Sequence, residues 1–420
     1  MRVYLKTFGC SSNRAETAAL ETLLLGGGFE VVNEPASAEA VVINTCTVRR
    51  DTELRMMKYM SSLTGRKIVV TGCMAEAQPA TIAATFPQAS IVSPHNLPMV
   101  AKALAAGQRS VFMDHDPKPL DPAPYGRGVR HVVTISRGCL GDCTYCIVRV
   151  ARGRLTSVRP DKILDSISLA VREGAREVLL SAQDTGVYGM DLGTDLPALL
   201  HSLARFEGSF RVRLGMFNPS SVIPFLQRLI EAFDNEKLYK FAHVPVQSGS
   251  DSILNGMGRH YGVDDFRRVI TSLRSRHPEI TLFTDIIVGF PGESEEDFRA
   301  TCLLLEEIRS DKTHIARFSP RPRTPASAMR QLPEAVKKKR SIILTEIAMR
   351  VQREINSQWI GRAVGATVVD YFAKGGMIAR TDQYKTVAIG GLERSLIGER
   401  VEVSILSATP FFLIGEINRH

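Results

Sequence analysis

Three cysteines stand at a C-x3-C-x2-C spacing in Arg137-Gly138-Cys139-Leu140-Gly141-Asp142-Cys143-Thr144-Tyr145-Cys146. Thiolates this close can each bind a different iron of one cubane, because the glycines let the backbone fold around it. A structural iron–sulfur or zinc site closes with four protein ligands, whereas three leave one metal position open to a small molecule. The loop therefore predicts a 4Fe–4S cluster with one iron free; a zinc loop with a distant fourth ligand is the competing reading. Three more cysteines each follow a stretch of strand character, at Gly9-Cys10, Thr45-Cys46 and Gly72-Cys73. Any one of them alone would be read as a small buried hydrophobe. Three at equivalent strand ends, where open α/β sheets form their binding crevice, predict convergence on a second cluster. Cys302, inside an apolar helical run, is expected in a core.

A chain of 420 residues is too long for one ordinary domain, and its 44% hydrophobic content is enough to bury a sizeable core. No apolar run reaches the ~18 residues of a membrane span. The first residues, Arg2–Phe8, read as a strand rather than an apolar leader, so the expected location is cytoplasmic. Seven cysteines, an odd number, argue for ligands rather than a disulfide framework.

The expected fold class is α/β in three parts. Residues 1–110 alternate strands (Val3–Phe8, Ala40–Asn44, Lys67–Thr71, Ser90–Ser93) with helices (Arg14–Leu25, Asp51–Leu63, Ala77–Thr85, Pro98–Ala106), which predicts an N-terminal open parallel α/β domain. Residues 111–130, rich in proline and without periodicity, read as a linker. Residues 131–358 hold six β/α units, with strands at His131–Ser136, Glu177–Ser181, Arg211–Met216, Phe241–Val246, Leu282–Val288 and His314–Phe318. They predict a central partial (β/α)6 barrel whose chemistry sits at the carboxyl ends of its strands, followed by a long helix from about Glu334 to Gln358. Residues 359–420 carry five short glycine-punctuated strands, which predict a small β-barrel of the oligonucleotide-binding kind.

The C-x3-C-x-aromatic-C loop, with Tyr145 as its aromatic, resembles the signature of radical S-adenosylmethionine (SAM) enzymes. That resemblance implies a central radical SAM barrel, SAM chelated by the free iron, and cleavage to a 5′-deoxyadenosyl radical that takes hydrogen from the substrate. Such chemistry is borne by the cofactor, and the protein's part is placement. Phe8-Gly9-Cys10-Ser11-Ser12-Asn13, Asn44-Thr45-Cys46-Thr47-Val48 and Thr71-Gly72-Cys73 resemble the N-terminal domain of the radical SAM methylthiotransferases. In that family the matching cysteines hold an auxiliary 4Fe–4S cluster that takes part in supplying sulfur. The resemblance thus implies six metal ligands, Cys10, Cys46, Cys73, Cys139, Cys143 and Cys146, the last three also catalytic. It implies two 4Fe–4S clusters, with SAM as both methyl donor and radical source. The SAM contacts it implies are Tyr145, then Gln183 and Asp184 in the turn after the second barrel strand, and Gln247 and Ser248 in His243-Val244-Pro245-Val246-Gln247-Ser248-Gly249-Ser250. Gly289 and Gly292 of Val288-Gly289-Phe290-Pro291-Gly292-Glu293 complete the set, for the adenine. His243 itself reads as a packing residue rather than an acid or base.

The resemblance extends to the C-terminal barrel, which is similar to the TRAM domain of this family. Its charge is nearly balanced, so a grip on RNA would rest on shape and a few placed side chains. The chain's net charge of +9 is concentrated between Lys312 and Arg353, where eleven basic residues face only Glu334 and Glu346. Such a belt is the footprint of a polyanion, or else a helix with a solvated basic face. The acid-free run from Ile147 to Arg159 could face SAM, an RNA backbone, or internal carboxylates. In Phe318-Ser319-Pro320-Arg321-Pro322-Arg323-Thr324-Pro325, Arg323 stands where the family usually has glycine, either adding a phosphate contact or reshaping the turn.

The Val150-Ala151-Arg152-Gly153 form resembles the archaeal and eukaryotic branch acting on threonylcarbamoyladenosine. The expected activity is methylthiolation at C2 of N6-threonylcarbamoyladenosine in tRNA, at position 37 beside the anticodon. The partners implied are tRNA, SAM, a sulfur donor and an electron donor, with no membrane; oligomeric state is not legible. Isopentenyladenosine in tRNA and an aspartate of a ribosomal protein are the alternative substrates within the family. A non-catalytic iron–sulfur RNA-binding sensor is the alternative outside it.

Overall fold

The computed structural model describes residues 1–48, 50–63, 65–114, 121–122, 128–372 and 375–418. The N-terminal part is a six-stranded parallel sheet. Its spatial order is Glu30–Val32, Arg2–Thr7, Ala40–Thr45, Lys67–Gly72, Ser90–Val92 and Val111–Phe112. Ala40–Thr45 lies at the centre and is buried along its whole length, as expected of a parallel strand covered on both faces. Its neighbours are Arg2–Thr7 and Lys67–Gly72, in registers that pair Thr7 with Asn44 and Thr45 with Gly72. Consequently Cys10, Cys46 and Cys73 follow the carboxyl ends of three adjacent strands.

Two strands of this sheet were not expected from the sequence. Glu30–Val32 pairs with Arg2–Thr7, and Val111–Phe112, assigned above to the linker, pairs with Ser90–Val92. The rest of the expected linker falls largely on 115–120 and 123–127, outside the described residues.

All six expected barrel strands form. Arg130–Thr134, Glu177–Ser181 and Arg211–Arg213 make one parallel run; Phe241–His243, Thr281–Val288 and Lys312–Arg317 make the other. A parallel bridge between Val212 and Leu238 joins the two runs. One core passes through both, from Val133 and Ile135 to Val288, and Leu344 and Ala348 of the helix Glu334–Ser357 pack onto it.

The C-terminal strands Ala363–Tyr371, Gly376–Thr381, Thr386–Gly390, Arg400–Ala408 and Leu413–Ile417 close into a barrel. It docks on the amino-terminal ends of the central strands. Lys240 N–H donates to Asp382 O at 2.8 Å, Arg211 pairs with Asp382 at 3.0 Å, and Lys385 pairs with Asp311. The N-terminal domain meets the opposite, carboxyl-terminal ends, where Ser12 Oγ lies 3.2 Å from Ser181 Oγ.

The basic belt is divided: Arg321, Lys337 and Arg340 are internal, while Lys312, Arg317, Arg323, Arg330, Lys338, Lys339, Arg350 and Arg353 are exposed. Lys337 is buried, donating to Phe318 O and paired with Glu334, and buried Arg340 pairs with Glu293 and Glu295. Arg321, also buried, reaches across to Glu53 of the N-terminal domain at 2.6 Å. A charge count along the chain cannot distinguish such partners from solvent.

Candidate active site

The loop holding Cys139, Cys143 and Cys146 is clamped at its base by an antiparallel pair, Ser136–Arg137 with Thr156–Ser157. Gly138 has φ of 79°, and a Cβ there would lie 2.0 Å from Arg154 O, so only glycine fits. Gly141 N–H donates to Cys139 Sγ at 3.2 Å, and a side chain on Gly141 would meet both Cys139 Sγ and Cys143 Sγ. Thr144 ties the loop to the barrel through Met257 O and Gly256 O, each at 2.9 Å. Tyr145 sits edge-on to Phe290 and accepts a hydrogen bond from Arg259.

Burial pushes the Cys146 thiol up to about 12 and raises that of Cys139, so metal must displace these protons to be bound. Among the described residues, one group of potential ligands has all its atoms within 4.8 Å of one another, and it contains no cysteine. Sulfurs sharing one zinc at about 2.3 Å would be closer together than that. In each cysteine trio, then, at least one pair of sulfurs stands further apart than one zinc would hold it.

Cys10 is exposed at the start of the helix Ser11–Gly26, while Cys46 and Cys73 are buried. Asn13 fastens their strand ends together, donating from Nδ2 to Asn44 Oδ1 at 2.8 Å and to Thr45 O at 3.1 Å. Gly72, with φ of 87°, admits no side chain because a Cβ would sit 2.3 Å from Asn44 Oδ1. Burial raises the Cys73 thiol to about 12; Arg152 opposes this, and the charges of Cys46 and Cys10 add to it, so the three sulfurs lie within electrostatic reach of one another.

The two cysteine sets adjoin. Arg152, on the short helix Val148–Arg152 that leaves the Cys146 loop, donates from Nε to Cys73 Sγ at 3.1 Å. The same guanidinium pairs with Glu16, while Ile147 and Ala151 pack on Cys73 and Ala77. Gln183 spans the gap from the other side: its Oε1 accepts from Gly138 N–H at 2.8 Å, and its Nε2 lies 3.5 Å from Ser12 Oγ.

The remaining expected SAM contacts fall into two groups. Gln247 has a left-handed φ of 73°, and its buried Oε1 has no hydrogen-bond partner among the described residues. A strained residue holding an orphaned amide is what a polar cofactor would satisfy. Gly292, with φ of 88°, borders open space. The others are engaged within the chain. Asp184 accepts from Gly186 N–H, Asn218 N–H and Nδ2, and Ser221 Oγ. Ser248 Oγ is braced by Ser250 N–H and Thr301. At Gly289 a Cβ would meet Lys337 Cγ at 2.4 Å, so its smallness makes room for the buried lysine stem.

The acid-free run is also divided. Arg152 is buried in its salt bridge, Arg159 pairs with Asp161, and Arg149 and Arg154 are exposed. Arg323 adopts φ of 64°, which accounts for glycine being usual there; with Arg137, Arg149 and Arg154 it lines a cavity of about 950 Å³ beside the cluster loop. Arg259 and Asn13 were not foreseen. Arg259 carried no local signal because its partners, Tyr145 and Asn218, are remote in sequence.

A second cavity, of about 580 Å³, runs through the central barrel from Cys10, Ser12 and Gln183 down to Arg213, Lys312 and the C-terminal barrel's Tyr384. His243 and His314 line it, with His243 Nε2 2.8 Å from Asp285 Oδ2. Asp285 is held below the usual carboxylate range: burial raises it, but the His243 hydrogen bond and nearby positive charge outweigh that.

Family models match in the same three parts: the uncharacterized protein family UPF0004 over residues 2–93, the radical SAM superfamily over 133–305, and the TRAM domain over 359–417. A probable threonylcarbamoyladenosine tRNA methylthiotransferase of Pyrococcus horikoshii is 39% identical, with 99% of both chains covered. The human threonylcarbamoyladenosine tRNA methylthiotransferase is 32% identical over 99% of this chain and 74% of its own. Among solved structures, the radical SAM methyltransferase TsrM from Kitasatospora setae shares the fold, with a TM-score of 0.57 at 14% identity, covering 78% of this chain and 74% of that one.

Proposed function

The chain belongs to the threonylcarbamoyladenosine tRNA methylthiotransferases, radical SAM enzymes acting on tRNA, and we propose that its two cysteine trios divide the reaction between two 4Fe–4S clusters. It adds a methylthio group to threonylcarbamoyladenosine in tRNA; we assign the new bond to C2 of the adenine at position 37. That carbon offers neither an acidic hydrogen nor an electrophilic centre, so acid–base or nucleophilic chemistry has no foothold there. Held by Cys139, Cys143 and Cys146 with SAM, and by Cys10, Cys46 and Cys73 respectively, the clusters supply radical C–H chemistry and a site for the incoming sulfur.

What the chain itself does is align these two places. The observation that carries the reading is the bond from Arg152 to Cys73, made by a residue on the helix that leaves the Cys146 loop. It couples the orientation of one cysteine set to that of the other, and supplies a fixed positive charge beside thiolates that burial would otherwise keep protonated. Gln183 repeats the coupling between Gly138 and Ser12. For SAM, we assign direct contact to Tyr145, Gln247, Gly292 and the free faces of Gln183. Asp184, Ser248 and Gly289 act by holding those turns in shape. The base must leave its stack to enter the barrel cavity, which the C-terminal barrel borders. A sulfur donor and a low-potential electron donor complete the cycle. Among the described residues, no helix is long and apolar enough to cross a membrane, and a tRNA substrate accords with a cytoplasmic site.

Nucleoside mass spectrometry of tRNA from a deletion strain tests the reading. Loss of the methylthio form of threonylcarbamoyladenosine, restored by the wild-type gene and not by one with Cys10, Cys46 and Cys73 replaced, is expected. Unchanged amounts in the deletion strain would refute it.

A further inference from the structure

The floor of the barrel cavity carries four cations, of which Arg380 and Lys385 are paired with Glu177 and Asp311 while Arg213 and Lys312 have no ion pair among the described residues. Arg213, at the end of its strand, lies over the rings of Phe241 (4.8 Å) and Tyr384 (5.8 Å). Among the described residues it has no ion pair, and its Nε is buried without a hydrogen-bond partner. Lys312 lies over Phe283, whose ring packs edge-on to Phe241, and it too has no ion pair there. Arg380 and Lys385 reach the same cavity from the C-terminal barrel. The nearby acids are already engaged: Asp311 by Lys385, Asp285 by His243, and Glu177 by Arg130 and Tyr239. A half-buried guanidinium stacked on aromatic rings, with its Nε buried and unbonded and with Glu177 near but not paired to it, is costly unless an anion arrives to pair with it.

The substrate brings such an anion. Its N6-threonylcarbamoyl group ends in a carboxylate, and the N6 bond leaves the adenine ring in a direction diverging from C2–H. With C2 turned to the cysteine end of the cavity, that group is carried toward the opposite end, where Arg213 and Lys312 stand. Resting on the reading above, we propose that Arg213 and Lys312 form the receptor for the threonine carboxylate, and so select threonylcarbamoyladenosine over adenosines whose N6 group is uncharged. Arg213 offers a planar fork suited to two carboxylate oxygens; Lys312 adds a mobile point charge at the exposed side.

The test compares three anticodon stem-loop RNAs on the anaerobically reconstituted full chain. One carries threonylcarbamoyladenosine, one its neutral methyl ester, and one plain adenosine. The wild type should bind the acid about tenfold or more tighter than the ester, the usual scale of a charged hydrogen-bonded pair. Arg213→Gln and Lys312→Met should each bring that ratio toward one while leaving the plain-adenosine affinity in place, and Arg213→Lys should retain part of it. Iron content and far-UV circular dichroism report folding; if Arg213→Gln misfolds, the exposed Lys312→Met decides. A wild type that discriminates acid from ester, with variants that discriminate equally, overturns the receptor and leaves the enzymatic reading standing. A wild type that thiolates none of the three RNAs overturns the reading itself.

Discussion

Arg152 Nε donates to Cys73 Sγ at 3.1 Å, while the rest of its guanidinium pairs with Glu16. One buried cation thus serves a cysteine of the N-terminal sheet from the helix that follows the cysteine loop of the barrel. Removing it strands a half-buried carboxylate and a buried thiol together. Arg152→Leu should destabilise the chain by about 3–5 kcal/mol, as breaking a buried ion pair does. Chemical denaturation gives the loss, and iron analysis should show the Cys10–Cys46–Cys73 set failing to load.

Gly138→Ala should be severe and local. The added methyl would meet Arg154 O at 2.0 Å, at a left-handed φ. Because Gly138 adjoins Cys139, the barrel loop should lose its iron while far-UV circular dichroism stays near wild type. An alanine variant with full iron would contradict the loop geometry.

Arg323→Gly should stabilise the chain by about 1 kcal/mol, since glycine adopts the left-handed backbone without the Cβ clash. The same change removes an exposed charge near Arg149 and Arg154. If that edge tracks the tRNA backbone, the salt dependence of tRNA binding should weaken by about one unit of log–log slope. An unchanged slope would confine Arg323 to shaping the turn.

His131 should make the chain sensitive to acid. Burial lowers its pKa to about 4, so the folded state keeps it neutral while the unfolded chain takes up a proton near the ordinary value of 6.5. Stability is therefore complete above about 6.5 and is lost as pH falls toward 4, by roughly 2 kcal/mol at pH 5. Denaturation midpoints across that window should fall in the wild type and fall less in His131→Gln.

Much of the scaffold was legible because its signals are local. The six barrel strands and the helix Glu334–Ser357 announce themselves by apolar periodicity, and the cysteines by their place after strands. Glu30–Val32 and Val111–Phe112 escaped because edge strands of three and two residues carry almost no pattern. Other features depend on partners outside their own motifs. Gly289 looked like a platform for a flat ligand, yet its constraint is the stem of Lys337. Asp184 looked poised for a cofactor, yet its oxygens are taken by Gly186, Asn218 and Ser221. Arg259, the residue that props Tyr145 of the cysteine loop, gave no sign at all.

The two cysteine trios are proposed to hold two separate metal centres side by side, each by three sulfurs. Iron and acid-labile sulfide counts on the anaerobically purified chain test it most directly. About eight irons per chain are predicted, falling to about four when Cys10, Cys46 and Cys73 are replaced by Ala and likewise when Cys139, Cys143 and Cys146 are. About four in the wild type, unchanged by loss of the N-terminal trio, would contradict the account.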